Sequence, residues 1–108
     1  MFILIHETSI SSAHFLRDYK GICSRIHGHN WKIRVEIRAE NLNKEGMAID
    51  FKDLKNLTLQ VLSLFDHQNL NDIPPFDKIN PTAENIVKYF YKELKKILPD
   101  GIELIVSS

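Results

Sequence analysis

The strongest constraint on this chain is the alternation between residues 29 and 40. There Trp31, Ile33, Val35, Ile37 and Ala39 take turns with Lys32, Arg34, Glu36, Arg38 and Glu40. Successive side chains of an extended segment point to opposite sides, so the pattern predicts a strand with one apolar and one charged face. His27 and His29 share the parity of Trp31. If the strand geometry runs back to them, they point the same way, about 6.5 Å apart along the axis. Two imidazoles can close onto one ion across that span.

The other elements follow from simpler signals. Residues 2–15 read as a strand, with Phe2, Leu4, Ile10 and His14 on one parity and Ile3, Ile5 and Ala13 on the other. Apolar residues on both parities suit a strand partly buried on each side. Arg17 to Gly21 reads as a loop, and Asn41 to Gly46 as a polar turn. Asp50 is placed as a helix N-cap with Asp53 in the capping-box position. Phe51, Leu54, Leu57, Val61, Leu62 and Phe65 then follow at helical spacing, predicting a helix that ends near Asp66-His67. The stretch from Asn69 to Asn80, with Pro74-Pro75, reads as loop. Asn80-Pro81 reads as a second helix start, Asn as cap and proline in the first turn. Ile86, Val87, Phe90, Leu94, Ile97 and Leu98 form its apolar face, and Pro99-Asp100-Gly101 stops it. Ile102 to Val106 is a last short strand. The order β-β-α-α-β predicts an α+β domain with an antiparallel sheet.

Composition narrows the class. A length of 108 residues fits one domain. Lys+Arg 14 against Asp+Glu 14 leaves a formal net charge of +0, which gives no general attraction to nucleic acid or to a membrane surface. No apolar run approaches the roughly 20 residues of a membrane span, and Met1 to Ile5 lacks the flanks of a signal peptide. With a single cysteine there is no internal disulfide. The expectation is a soluble, cytoplasmic protein.

Chemistry concentrates in one place. His14, Cys23, His27 and His29 put three of the five histidines and the only cysteine within 16 residues. Imidazole and thiolate are zinc ligands, and three protein ligands with an open fourth position is the catalytic form of such a site. His14, His27 and His29 are the candidate metal ligands. Cys23 has two readings. It completes a closed four-ligand site, or it stays free beside the metal and Arg25, both of which lower a thiol pKa and make it a usable base. Asp66-His67 is a second candidate, since a carboxylate can hold an imidazole in one tautomer as a proton shuttle. The same pair also suits a polar helix end. Thr82 and Glu84 open the second helix, where capping accounts for them.

Several segments together resemble the 6-pyruvoyl-tetrahydropterin synthase / 6-carboxy-tetrahydropterin synthase family. They are Ser12-Ala13-His14, Cys23-x-x-x-His27-Gly28-His29-Asn30, Gly46-Met47-Ala48-Ile49-Asp50-Phe51, Asp66-His67-x-x-Leu70-Asn71 and Asn80-Pro81-Thr82-Ala83-Glu84-Asn85. The resemblance implies the T-fold, an antiparallel sheet carrying two helices, in subunits that join into homo-oligomers, commonly hexamers, with sites between subunits. It implies Zn2+ on His14, His27 and His29, Cys23 as the proton-abstracting residue, and Asp66 with His67 as the acid/base pair. Thr82 and Glu84 become candidate substrate-binding residues. The implied substrate is 7,8-dihydroneopterin triphosphate. The short Cys-x-x-x-His-Gly-His spacing is similar to the 6-carboxy-tetrahydropterin synthases, lyases of queuosine and deazapurine biosynthesis that release acetaldehyde. The alternatives are 6-pyruvoyl-tetrahydropterin synthase activity and a non-catalytic, zinc-stabilised T-fold that binds a purine or pterin. Family members end with a strand whose Glu-Thr segment grips the pterin ring, followed by one more strand. That segment does not occur before Ser108, so the expectation for residues 1–108 is a single T-fold domain without the final strand.

Overall fold

The structure, a computed structural model, describes residues 1–18 and 25–108. Two long strands come first, β1 (Phe2–His14) and β2 (His27–Ala39). Helix α1 (Phe51–Leu62), a 3-10 turn (Leu70–Asp72), helix α2 (Ala83–Ile97) and strand β3 (Glu103–Ser107) follow. The sheet order is β1-β2-β3, antiparallel throughout. The β1–β2 pairing runs without a slip from Phe2 opposite Ala39 to His14 opposite His27. This is the antiparallel sheet with two helices that the T-fold requires.

The alternation in β2 sets which side is the core. Trp31, Ile33, Val35, Ile37 and Ala39 are buried, with Ile33, Val35 and Ile37 at 0% exposure. On the opposite face Glu36 accepts from Arg38 Nε at 2.8 Å and from Arg34 at 3.3 Å. In β1 the inward parity is buried only from Ile10 onward. Its outward parity is solvent-facing, with Ile3 and Ile5 exposed. The expectation of a strand partly buried on each side is therefore corrected: among the described residues of one chain nothing covers the outer face of its first half.

Both helices lie on the inward face. Leu54, Val61 and Leu62 of α1 and Ile86, Phe90 and Leu94 of α2 are buried and join β2 in one apolar cluster. Thr58, fully buried, satisfies its hydroxyl by donating to Leu54 O at 2.7 Å. Helix α1 ends at Leu62, a turn earlier than its periodicity suggests. Phe65 is still buried, but on a turn and not on the helix, edge-on to Phe76, Tyr89 and Phe90 at 5.4–5.8 Å between ring centroids. At α2 the N-cap is Thr82, not Asn80: its hydroxyl accepts from Asn85 N at 3.1 Å. Asn80 is left free for a different task.

Candidate metal centre and acid/base pair

Register places the three histidines. In an antiparallel pair, residues directly opposite put their side chains on the same face. His14 stands opposite His27, and Ser12 opposite His29, all on the inward face at the end of the hairpin. The rings meet with centroids 4.6, 5.1 and 4.7 Å apart. One ligand nitrogen from each lies within 4.8 Å of the others. Behind them Trp31 stands nearly perpendicular to His14, at 4.9 Å.

The ring nitrogens are already sorted. His14 Nδ1 is 2.8 Å from Pro81 O, and His27 Nδ1 is 2.7 Å from Arg25 O. A carbonyl only accepts, so each Nδ1 carries the proton and each Nε2 keeps its lone pair for a ligand. The Nε2 of His14 is buried and has no hydrogen-bond partner, an arrangement that is costly unless something else takes the lone pair. Burial pushes the His14 pKa below that of an ordinary histidine, and the neighbouring imidazoles push the same way, against the Pro81 hydrogen bond. A depressed pKa keeps the ring neutral, which is the ligand form. An all-imidazole set with an orphaned buried nitrogen fits a zinc ion. Cys23 lies outside the described residues.

Asp66 and His67 are positioned by the edge of β1. After Phe65 the chain runs alongside that edge. Ser12 Oγ donates to Phe65 O, Ser11 N donates to Asp66 Oδ1 at 2.8 Å, His67 N donates to Ser11 O at 2.6 Å and Ala13 N donates to Gln68 O at 2.9 Å. His67 adopts φ +57°, a left-handed conformation uncommon outside glycine. The turn brings His67 Nδ1 to 3.1 Å from Asp66 Oδ1 while the imidazole stays mostly in solvent. The Ser11 amide, more than the adjacent His67, holds the Asp66 carboxyl below its usual range. Of the two readings of this pair, the geometry favours the dyad. Asp66 fixes the Nδ1 proton, and Nε2 is presented outward.

A groove of about 430 Å³ is lined by His67 and, of the three histidines, by His29, together with Ser11, Ala13, Gly28 and Asn30 among others. Thr82 and Glu84 do not line it. Thr82 caps α2 and Glu84 is exposed in the first turn of that helix. Residue patterns missed the supporting groups, namely the Pro81 carbonyl, the Ser11 backbone and the side chains of Asn71 and Asn80. Carbonyls leave no mark in a sequence, and asparagine followed by proline is so often a helix cap that Asn80 carries the pattern of one.

Comparison with known proteins places the chain among relatives. Over 88 residues, 82% of the chain, it is 40% identical to an Archaeoglobus fulgidus protein provisionally named 6-carboxy-5,6,7,8-tetrahydropterin synthase, spanning 71% of that protein. Over 102 residues, 90% of the chain, it is 33% identical to the Bacillus subtilis 6-carboxy-5,6,7,8-tetrahydropterin synthase, spanning 68% of it. In three dimensions it is similar to the Caenorhabditis elegans 6-pyruvoyl tetrahydropterin synthase, with a TM-score of 0.83 at 26% identity over 99% of this chain and 94% of that one. The family model described as 6-pyruvoyl tetrahydropterin synthase matches residues 3–107. With that match spanning nearly the whole sheet-and-helix unit, the chain belongs to the 6-pyruvoyl tetrahydropterin synthase family of lyases.

Proposed function

We propose that this enzyme is a zinc-dependent lyase that converts 7,8-dihydroneopterin triphosphate to 6-carboxy-5,6,7,8-tetrahydropterin, releasing acetaldehyde and triphosphate, in queuosine or deazapurine biosynthesis. The observation that carries the reading is the cluster of His14, His27 and His29, with the buried, unpartnered Nε2 of His14. The two relatives named for the 6-carboxy product support the choice of product.

Zinc bound by the three imidazoles would act as a Lewis acid toward the hydroxyls of the substrate side chain and make the adjacent C–H more acidic. Pro81 and Arg25 hold the donor tautomers of His14 and His27, so no proton has to be rearranged before ligation. Cys23, by the family resemblance, is the base that takes the carbon-bound proton. His67 moves protons at Nε2 while Asp66 keeps Nδ1 protonated, and a positioned acid/base of this kind contributes roughly 10²–10⁴-fold. The proposal includes a cytoplasmic location and a homo-oligomer, a hexamer in the first instance, with sites between subunits. Among the described residues, no helix is long and apolar enough to cross a membrane.

The test is an acetaldehyde assay on zinc-loaded protein with the pterin triphosphate. Acetaldehyde together with the 6-carboxy product supports the reading. Formation of a 6-pyruvoyl product, as the name of the C. elegans protein suggests for that enzyme, moves the assignment to that branch. No turnover of either kind overturns it. Cys23→Ala separates the roles of the thiol: zinc stoichiometry is kept if Cys23 is the base and reduced if it is a fourth ligand.

A further inference from the structure

His14 is the ligand that holds the cluster in the core, and its strand support stops just where it is needed. The β1–β2 ladder ends at the pair His14–His27. Beyond it, Phe15 and Arg17 still present peptide N–H and C=O groups to one side, and two carboxamides take the place of a neighbouring strand. Asn71 accepts from Phe15 N at 2.9 Å and donates to Phe15 O at 3.0 Å. Asn80 accepts from Arg17 N at 2.8 Å and donates to Arg17 O at 3.0 Å. A primary amide is the one neutral side-chain group that offers donor and acceptor side by side, as a peptide does.

Asn80 immediately precedes Pro81, whose carbonyl fixes His14 Nδ1. The Asn80 carbonyl in turn accepts from Asn85 Nδ2 at 2.9 Å. Arg17 closes the arrangement by donating to Phe76 O at 2.8 Å and to Ile79 O at 3.2 Å. The result is a ring of contacts from the His14 backbone through Arg17 to Asn80, Pro81 and back to the His14 imidazole. We propose that Asn80, steadied by Asn85, is a positioning residue for the metal centre: it places the Pro81 carbonyl, and so sets the tautomer and ring orientation of His14 without touching the ion. Asn80, Pro81 and Asn85 of this motif then serve the metal ligand. This rests on the reading of the histidine cluster as a metal site.

The experiment compares wild type with Asn80→Asp, which keeps size and acceptor but loses the donor, and with Asn85→Ala, which removes only the bond to the Asn80 carbonyl. Thr58→Val is the control, a core change remote from the ring of contacts. Two readouts are taken. In metal-free protein at pH 8, two-bond ¹H–¹⁵N correlation spectra report the His14 tautomer. The expected result is Nδ1–H in wild type and Thr58→Val, and a mixture in Asn80→Asp. Competition against a chromophoric chelator gives zinc affinity, expected to fall about 10–100-fold in Asn80→Asp, with altered cobalt d–d bands in Co²⁺-loaded protein. Asn85→Ala should shift both readouts in the same direction by less, and it serves alone if Asn80→Asp does not fold. A wild-type tautomer in both asparagine variants overturns the proposal. So does a loss of zinc affinity no larger than in Thr58→Val. Failure of wild type to bind zinc would defeat the metal reading instead, and the tautomer measurement would still judge the positioning role.

Discussion

At the scale of single residues, this site is a matter of which ring nitrogen carries a proton. His14 and His27 are settled by backbone carbonyls, and His67 by the carboxylate of the residue before it. The Asp66 case yields a prediction with a definite sign. Its folded-state pKa lies below the unfolded value, first because of the Ser11 amide and then because of His67. The carboxylate therefore contributes stability that is fully present above the unfolded value, about pH 4, and is lost as pH falls through the lower folded value. The difference in stability between wild type and Asp66→Asn should shrink as pH falls below about 4. Urea titrations between about pH 5 and 2 measure it, and a difference that grows below about pH 4 would contradict the assignment.

Secondary-structure elements differ in how plainly the sequence announces them. Strand β2 was legible because each of its inward residues meets the core and each outward one meets water, so local pattern and tertiary environment agree. Replacing Ile37, fully buried at the middle of the sheet, with Ala should cost about 2–5 kcal/mol by chemical denaturation. A loss under 1 kcal/mol would mean the inward face is not packed as described. The end of α1 was less legible. Phe65 keeps helical spacing and is buried, but the chain must leave the helix at Leu62 for residues 66–68 to reach the edge of β1. Periodicity records burial and is blind to a turn that achieves the same burial. Asn80 misled for a related reason, since its partners at Arg17 are 63 positions away. The clustering of His14, His27 and His29, by contrast, was signalled by their close spacing, and the shared face of His27 and His29 by parity, while the groups that orient them left no such mark.

For the molecule as a whole, a metal ion held by His14, His27 and His29 would also be a fastener. It would join β1 to β2 at the histidine end of the hairpin, and through the Pro81 carbonyl on His14 its ligands reach the start of α2. A ligand that binds only the folded state adds stability by mass action, about 2.7 kcal/mol at a hundredfold excess over Kd. In a domain of this size that raises Tm on the order of 10 °C. Calorimetry with and without zinc should show the rise in wild type and none in His27→Ala. A rise of equal size in both would place the ion elsewhere.

The shortness of β3 has one more consequence. It pairs with β2 only from Arg34 to Arg38, so among the described residues the stretch from His27 to Ile33 has a strand neighbour on one side alone. Amides on that open side have no β-strand acceptor among the described residues and should trade hydrogen for deuterium quickly, while those between Val35 and Ile37 trade slowly. The boundary between fast and slow amides near Ile33 would then act as a clock for assembly. If copies of the chain cover the open edge, the fast set slows as protein concentration rises. If its rate is independent of concentration, that edge stays in water.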